Sequence, residues 1–315
     1  MRNLRILFMG TPEFSVPMLE AIYKSKYKLV GVVTVEDKPA GRGRKIKASA
    51  VKEYAVKQGI TVLQPKNLKS DEFLVEIKEL NPNLIVVVAF RMLPRQIWEF
   101  PEYGTFNLHA SLLPQYRGAA PINWAIMNGE SKTGLTTFFI DDKIDTGEII
   151  DSVDLKIEHE DNLESVYNKM IPTGVELVLK TIRDIEHNVV KPKKQNQSDD
   201  LKIAPKLNRD NTRINWQSSA KAIYDFVRGL SPYPLAWTNI ISGDQTISSK
   251  IAKVDYSIIT HSYPVGKIIE KDKSLFVAVN DGLVEILELK LSGKKLMKTR
   301  DLLNGFKLEN DSKVL

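Results

Sequence analysis

Apolar runs and amphipathic stretches alternate through the first half of the chain. The apolar runs, which are typical of strands covered on both faces, fall at residues 4–9, 29–35, 60–63, 84–89, 105–109 and 135–140. The stretches with apolar side chains at helical spacing fall at residues 13–25, 50–58 and 70–80. Because repeated strand–helix units favour parallel pairing with right-handed crossovers, this pattern predicts a doubly wound α/β sheet.

The pattern changes in the second half. A long amphipathic stretch at 161–186, with a predicted break at Pro172, leads into a polar segment at 190–205 that has little to bury and is typical of a linker. One helix is expected at 218–229. Short strands separated by turn residues follow at 236–241, 247–255, 265–270, 275–279 and 283–290. Their regular spacing predicts a small β-barrel.

The composition is that of a folded protein. Of 315 residues, 43% are hydrophobic and none is cysteine, which excludes disulfides, thiolate nucleophiles and cysteine-type zinc sites. The longest apolar run, at 84–90, is far shorter than the ~20 residues of a membrane helix. The apolar run at 6–9 is too short for a signal peptide. We therefore expect a cytoplasmic protein without a membrane partner.

Polar side chains interrupt the apolar strand expected at 105–109. Asn107 and His109 are two residues apart, so they share a face of that strand. They lie at its carboxyl end, where open α/β sheets place their sites. Asp145 follows the next expected strand. An amide, an imidazole and a carboxylate suit acyl-type transfer to an amine, because the amide can stabilise an oxyanion while the other groups manage protons.

Plainer interpretations of the same residues stay open. A histidine at a strand end can be satisfied by a backbone carbonyl, and Asp145 can cap a turn. Ser111 is better explained as a loop-capping residue than as a nucleophile, since the approach to Pro114 disfavours a continuing strand. The chain has no G-x-G-x-x-G, P-loop, H-E-x-x-H or G-x-S-x-G motif. Dinucleotide, phosphate-loop, zincin and hydrolase interpretations therefore lack support.

Positive charge is concentrated rather than spread. The formal net charge is only +6, from 45 basic and 39 acidic residues. The basic residues collect in the segments 37–52, 191–194 and 290–300. Such clustering favours a polyanionic partner, and a β-barrel beside a catalytic domain is a common platform for nucleic acid.

Several motifs resemble the methionyl-tRNA formyltransferase family. The segment SLLPQYRGAAPI at 111–122 closely resembles the family's signature. Similar matches are GTPEF at 10–14, DKPAGRG at 37–43, IDTG at 144–147, GKKLM at 293–297 and DLLNG at 301–305. The resemblance extends over essentially the whole chain, and the combination of motifs is highly specific.

The resemblance implies a fold and a reaction. It implies an N-terminal doubly wound, Rossmann-like formyltransferase domain over 1–189, a basic polar linker over 190–207 and a C-terminal OB-like β-barrel that binds tRNA over 208–315. The donor would be 10-formyltetrahydrofolate, and the acceptor would be the α-amine of methionine on initiator tRNA, giving N-formylmethionyl-tRNA for translation initiation. We expect no metal and a monomer.

The resemblance also implies roles for individual residues. Asn107 would hydrogen-bond the formyl oxygen as it becomes an oxyanion. His109 would assist and take the amine's proton, and Asp145 would orient His109 and favour its cationic form. The folate-binding residues would be Ser111, Leu112, Leu113, Pro114, Met92, Leu93, Ile97 and Asp142. The tRNA-binding residues would be Lys38, Arg42, Arg44, Lys45 and Lys47, with Arg42 the leading contact.

One segment departs from the family's pattern. The family usually has Ala-Tyr-Gly and two further residues before Leu-Pro beside the folate pocket. Here the segment 89–94 reads AFRMLP, which is one residue shorter and has Arg91 where glycine is expected. Since only glycine adopts positive φ easily, we expect the rim of this pocket to be rebuilt.

Other functions share part of these features. A formyltransferase acting on a small amine, such as a glycinamide ribonucleotide or a nucleotide sugar, would use the same Asn107, His109 and Asp145 without needing the barrel or the basic loop. A folate-dependent deformylase would replace the amine with water. A non-catalytic RNA-binding protein is disfavoured by the complete set of polar residues.

Overall fold

The computed structural model describes residues 1–40, 45–196 and 200–315. Two compact units emerge from its contacts. The first contains residues 1–118, 134–155 and 168–203, and the second contains residues 119–133, 156–167 and 204–315. Neither unit is one continuous stretch of sequence, and the predicted boundaries at 189 and 208 stay predictions.

The strands are β1 (Arg5–Gly10), β2 (Lys28–Val33), β3 (Lys38–Ala40), β4 (Lys45–Lys47), β5 (Val62–Leu63), β6 (Leu84–Val88), β7 (Thr105–His109), β8 (Arg117–Gly118), β9 (Lys132–Phe139), β10 (Ile149–Lys156), β11 (Ile203–Ala204), β12 (Ala236–Ser242), β13 (Gln245–Ile258), β14 (Ile268–Lys271), β15 (Ser274–Val279), β16 (Gly282–Leu291), β17 (Met297–Lys298) and β18 (Lys313–Val314). The helices are α1 (Ser15–Tyr23), α2 (Ala50–Lys57), α3 (Asp71–Leu80), α4 (Arg95–Trp98), α5 (Pro121–Met127), α6 (Leu163–Glu186), α7 (Ala220–Leu230) and α8 (Thr299–Leu303).

The main sheet of the first unit confirms the predicted doubly wound α/β class. Its strand order is β10-β9-β7-β6-β1-β2-β5. The strands β5, β2, β1, β6 and β7 pair in parallel, whereas β9 runs antiparallel to β7. All five residues of β6 are buried, which is what its continuous apolar sequence requires. The parallel strands consequently present their carboxyl ends at one edge.

Serines begin two of the predicted helices. The Ser49 hydroxyl accepts a hydrogen bond from the backbone N–H of Lys52, and Ser70 does the same for Phe73, as expected for N-caps. The predicted break at Pro172 is wrong, because α6 continues through it. Met170 and Leu177 are buried on either side of this proline. Their packing outweighs the roughly 3 kcal/mol cost of proline inside a helix.

The second unit contains the predicted barrel. Its antiparallel sheet runs in the order β14-β15-β16-β13-β12-β18, with β17 paired to β16. The short β18 also hydrogen-bonds back to the start of β14, where Ile268 N–H donates to Ser312 O at 2.9 Å and Val314 N–H donates to Gly266 O at 2.9 Å. These bonds bring the first and last strands together, so the sheet is nearly closed. Apolar side chains from the barrel and α7 form one buried cluster.

No helix in the described ranges has the length and apolar character needed to cross a membrane.

Candidate active site

Strand β7 carries both polar residues of the predicted pattern. It lies between β6 and β9, with Asn107 opposite Val87 and Phe138. His109 is 5% exposed, whereas Asn107 is only partly buried. Within the described part of the chain, the side-chain amide of Asn107 forms no hydrogen bond with another protein group. That amide is therefore available to a ligand at the carboxyl edge of the sheet.

The two nitrogens of the His109 ring face different partners. Nε2 lies 2.9 Å from the carbonyl oxygen of Tyr116, and Nδ1 lies 3.7 Å from Oδ2 of Asp145. Because a carbonyl oxygen only accepts, Nε2 is the nitrogen that donates in this arrangement. A backbone carbonyl therefore satisfies the ring, as the plainer interpretation expected, and the Asp145 carboxylate lies near it. The catalytic roles of these residues stay predictions.

Asp145 occupies a turn that brings it back to the strand end. Its φ is +55°, a left-handed conformation that is uncommon outside glycine but tolerated by aspartate. Its Oδ2 accepts a hydrogen bond from the backbone N–H of Gly118 at 2.9 Å. Two residues later, a Cβ on Gly147 would lie 1.7 Å from the carbonyl oxygen of Phe139, so the turn can pass the strand only with glycine there.

The segment after β7 is fixed by its own hydroxyl groups. Ser111 is fully buried and its hydroxyl donates to the carbonyl of Gln115 at 2.6 Å. Thr136 donates to the Ser111 carbonyl at 2.7 Å and accepts from the Leu113 N–H at 3.2 Å. Ser111 therefore has the loop-capping place that the sequence favoured, and Leu113 is buried while Leu112 and Pro114 are half-buried.

Gln195 joins this site from far along the chain, and no pattern in the sequence predicted its place there. Its Nε2 donates to the carbonyls of Asp145 at 2.9 Å and Gly147 at 2.8 Å. Its Oε1 accepts from Arg117 Nε at 3.1 Å and Nη2 at 2.6 Å. The polar composition of the 190–205 segment did not indicate this contact, because a single glutamine among lysines and prolines forms no periodic pattern.

Arg117 and Gln195 border an open cavity of about 460 Å³. Its lining consists of Arg117, Asp141, Asp142, Lys143, Thr146 and Gln195. The Asp141 carboxylate accepts from the Thr146 hydroxyl at 2.7 Å, which ties the two ends of this turn together. The exposed Asp142 thus lines the cavity beside the Asp145 turn.

The apolar residues assigned to the folate pocket fall in different environments. Ile97 is 0% and Leu93 4% exposed, and both belong to the apolar core of the first unit. Met92 is 62% exposed. In this structure the side chain of Met92, unlike those of Leu93 and Ile97, is accessible to a ligand.

Arg91 stabilises the shortened rim. Its guanidinium donates to the carbonyls of Pro65 and Lys66, and it lies 5.6 Å from the ring centroid of Phe90. The positive φ of the segment falls at Ala89, at +49°. The arginine of this segment thus faces backbone carbonyls, and a rebuilt rim of the folate pocket stays a prediction.

The basic loop is partly described. Lys38 and Lys47 are exposed and pair across the β3–β4 hairpin. At its base, the carboxylate of Asp37 accepts from Lys52 at 2.7 Å and Gln64 at 2.9 Å. These hydrogen bonds hold the pKa of Asp37 below its ordinary value. Arg42 and Arg44 lie outside the described residues, as does the side chain of Lys45.

Among residues 1–40, 45–196 and 200–315, no group of three or more histidine, cysteine or acidic side chains is arranged to hold a metal ion.

Family models match both halves of the chain. The model described as "Formyl transferase" matches residues 3–182, and the one described as "Formyl transferase, C-terminal domain" matches residues 206–307. Together they span most of the sequence, and the segment between them contains Gln195.

Curated relatives match over nearly their full length. A methionyl-tRNA formyltransferase from Flavobacterium psychrophilum is 53% identical over 97% of this chain and 97% of its own. One from Flavobacterium johnsoniae is 51% identical over 100% of both chains. One from Bacteroides thetaiotaomicron is 47% identical over 99% of this chain and 98% of its own.

Solved structures with lower identity share the fold. A sugar 3N-formyl transferase crystallised with dTDP and 5-N-formyl-THF has a TM-score of 0.65 at 20% identity and covers 94% of this chain and 100% of its own. An N-formyltransferase from Helicobacter canadensis, in complex with folinic acid and dTDP-3-aminofucose, has a TM-score of 0.66 at 23% identity. That match covers 90% of this chain and 98% of the other.

Proposed function

The chain belongs to the formyl transferase family, and from this premise we propose that it transfers a formyl group from 10-formyltetrahydrofolate to the α-amine of methionyl-initiator tRNA. The product is N-formylmethionyl-tRNA, which serves translation initiation. We propose that the reaction needs no metal and that the protein acts as a monomer in the cytoplasm.

One observation carries this choice of acceptor. Relatives called methionyl-tRNA formyltransferase match at 53% and 51% identity over 97% and 100% of the chain. That similarity extends over the barrel as well as the first unit. The geometry at His109 supports the chemistry. The imidazole lies 3.7 Å from the Asp145 carboxylate, and Asn107, on the same face of β7, has no side-chain hydrogen bond among the described residues.

The reaction divides among the proposed residues by their chemistry. The methionyl amine attacks the formyl carbon, the oxygen gains negative charge, and the Asn107 amide donates to that oxygen. His109 takes the proton that the amine loses, with Asp145 stabilising the resulting charge. The carbon–nitrogen bond to the folate then breaks, its electron pair goes to the folate nitrogen, and a proton from His109 completes tetrahydrofolate. Because Nε2 carries the hydrogen that it donates to Tyr116, the nitrogen that takes the amine's proton in this arrangement is Nδ1, which faces Asp145.

Binding residues are assigned on the same basis. We assign folate binding to the segment of Ser111, Leu112, Leu113 and Pro114, to Asp142 and to the rim formed by Met92, Leu93 and Ile97. The side chains of Leu93, Ile97, Ser111 and Leu113 are buried, so their contribution is to support the pocket from beneath. The tRNA contacts are assigned to Lys38, Arg42, Arg44, Lys45 and Lys47, whose charge complements a phosphate backbone.

The test compares acceptors directly. The purified protein is incubated with 10-formyltetrahydrofolate and with charged initiator tRNA, charged elongator methionyl-tRNA, a glycinamide ribonucleotide or a nucleotide amino-sugar. We expect formylation of the charged initiator tRNA at the highest kcat/KM. Formylation of a small amine alone would replace the proposed acceptor, and release of formate without any acceptor would indicate a deformylase.

A further inference from the structure

Gln195 lies in a segment whose backbone is anchored beside the Asp145 turn. Lys193 and Ile149 exchange backbone hydrogen bonds of 2.8 and 2.9 Å, so the chain at 193–195 runs against the residues that follow the turn. The Gln195 side chain is half-buried and forms four hydrogen bonds through its single amide. An amide on an anchored backbone can define the position of the groups it binds.

The two halves of that amide do different things. The NH₂ group donates to the carbonyls of Asp145 and Gly147 and so bridges the ends of the tightest part of the turn. The oxygen accepts from the Arg117 guanidinium, which is a charge-assisted bond. That guanidinium fixes the orientation of the amide, since the nitrogen end must then point at the carbonyls.

The Asp145 turn needs such external support. The backbone of Asp145 is left-handed at φ +55°, and a conformation of this kind persists when surrounding contacts fix it. Two contacts with the rest of the first unit act on Asp145 from opposite ends: Gly118 N–H holds the carboxylate, and Gln195 holds the backbone carbonyl. Without the second contact the backbone of Asp145 loses one of these two restraints, and the carboxylate, already 3.7 Å from His109, is left with the restraint from the Gly118 N–H.

We infer that Gln195 is a positioning residue for formyl transfer, which sets the place of the Asp145 carboxylate beside His109 by donating to the backbone of the Asp145 turn. The inference rests on the proposed function. Residues 183–205, which lie between the regions matched by the two family models, then contribute to the reaction. Besides connecting those regions, this segment forms part of the cavity wall through Gln195.

The experiment uses three substitutions at or beside this position in the full-length protein. Gln195→Ala removes the donor and the acceptor. Gln195→Glu keeps an acceptor for Arg117 but places a carboxylate against two carbonyls. Asn196→Ala, an exposed neighbouring amide that has no role in the argument, is the matched control. Formyl transfer and hydrogen exchange at residues 141–148 are measured for each.

The expected results separate positioning from folding. Misplacement of a catalytic group by about 1 Å can lower the reaction rate about 100-fold. We therefore expect kcat to fall about 10- to 100-fold in Gln195→Ala and Gln195→Glu, while KM for the formyl donor changes by less than about threefold. The kcat of Asn196→Ala should stay within about twofold of the wild-type value. Full activity in Gln195→Glu would show that only Arg117 matters and would overturn the inference. In an Asp145→Ala background, Gln195→Ala should cost nothing further, because both changes act through one carboxylate; multiplied effects would contradict this.

Failure of the proposed function is recognised separately. If the wild type formylates no acceptor, the proposed function fails, and hydrogen exchange still tests the structural claim. Amides at 141–148 should exchange faster in Gln195→Ala than in Asn196→Ala. Equal exchange in the two variants would overturn the positioning role of Gln195 regardless of activity.

Discussion

The His109 corner, formed by residues 107–118, 141–147 and 195, differs from the barrel in what holds it together. The barrel is a continuous antiparallel ladder, with Ile286, Leu289 and other fully buried apolar side chains inside. The corner is made of turns connected by single hydrogen bonds. Some are local, such as Ser111 to Gln115, and some join sequence-distant groups, such as Gln195 to Asp145. Left-handed backbone occurs there at Tyr116 and Asp145.

This difference has a physical meaning. Apolar burial stabilises a sheet without dictating where one polar atom lies, whereas a hydrogen bond specifies position at a net gain of only about 1 kcal/mol. A site that must present an amide, an imidazole and a carboxylate needs position more than stability. Substitutions in the corner should therefore alter catalysis with little loss of stability, and substitutions inside the barrel should do the reverse.

The largest expected effect comes from removing the imidazole. His109→Ala should lower kcat by roughly 100-fold or more, since loss of a positioned acid–base or oxyanion-stabilising group commonly has that effect. The midpoint of urea unfolding should change little, because His109 stands at the end of its strand and gives up one hydrogen bond to Tyr116. Steady-state kinetics and denaturation on the same preparation check both parts.

His187→Ala is the matched control for that variant. His187 is an exposed histidine next to the end of α6, bonded to the Arg183 carbonyl, and its removal should leave kcat within about twofold. A near wild-type rate in His109→Ala would contradict the assignment of His109. A large loss of stability would contradict the contrast between corner and barrel.

Periodic features of the sequence predicted the strands and helices well. Strand β7 occupies 105–109 as expected, and the helix expected at 70–80 begins with Ser70 as its N-cap. The strand at 149–156 was missed because it lies at the edge of the sheet with half-buried or exposed side chains. The closing strand β18 is only two residues long, Lys313 and Val314, too short to leave a period.

The sequence predicted the arrangement of site residues only where they lie along one strand. Asn107 and His109 are on one face because alternate residues of a strand must be, and that needs no tertiary information. The contact of Tyr116 with His109 involves a backbone carbonyl, which has no residue type to recognise. Gln195 reaches the Asp145 turn over 50 positions of sequence, and neither composition nor spacing encodes a single long-range hydrogen bond.

The second prediction tests the barrel. Ile286 is fully buried on β16 between Val254 and Leu275 of its neighbours, so Ile286→Ala should lower the free energy of unfolding by about 2–5 kcal/mol through lost burial and a new cavity. At 25 °C, below the unfolding transition, kcat should stay within about twofold. Thermal and urea unfolding monitored by circular dichroism, with kinetics alongside, measure these effects.

Glu285→Ala provides the matched control for the barrel. Glu285 is the adjacent residue on the opposite face of β16 and is only half-buried, so its truncation should change the unfolding free energy by less than about 0.5 kcal/mol. If Ile286→Ala reduced kcat as strongly as His109→Ala, the division of roles between the two regions would be wrong.

The smallest expected effect lies at the rim of the corner. Arg91 is exposed and its guanidinium holds the carbonyls of Pro65 and Lys66, so Arg91→Ala loosens the rim without touching His109. Each exposed hydrogen bond of this kind contributes about 1 kcal/mol or less, which corresponds to a rise of at most about fivefold in KM for 10-formyltetrahydrofolate with kcat nearly unchanged. Arg91→Lys should recover only part of the loss, because one ammonium cannot reproduce the spread of guanidinium donors over two carbonyls.

Arg95→Ala, on the exposed face of α4 and paired with Glu99, serves as the control and should leave KM unaltered. A fall in kcat to the level of His109→Ala would mean that the rim shares in positioning the reacting groups, and the corner would then have to be enlarged to include residues 89–93.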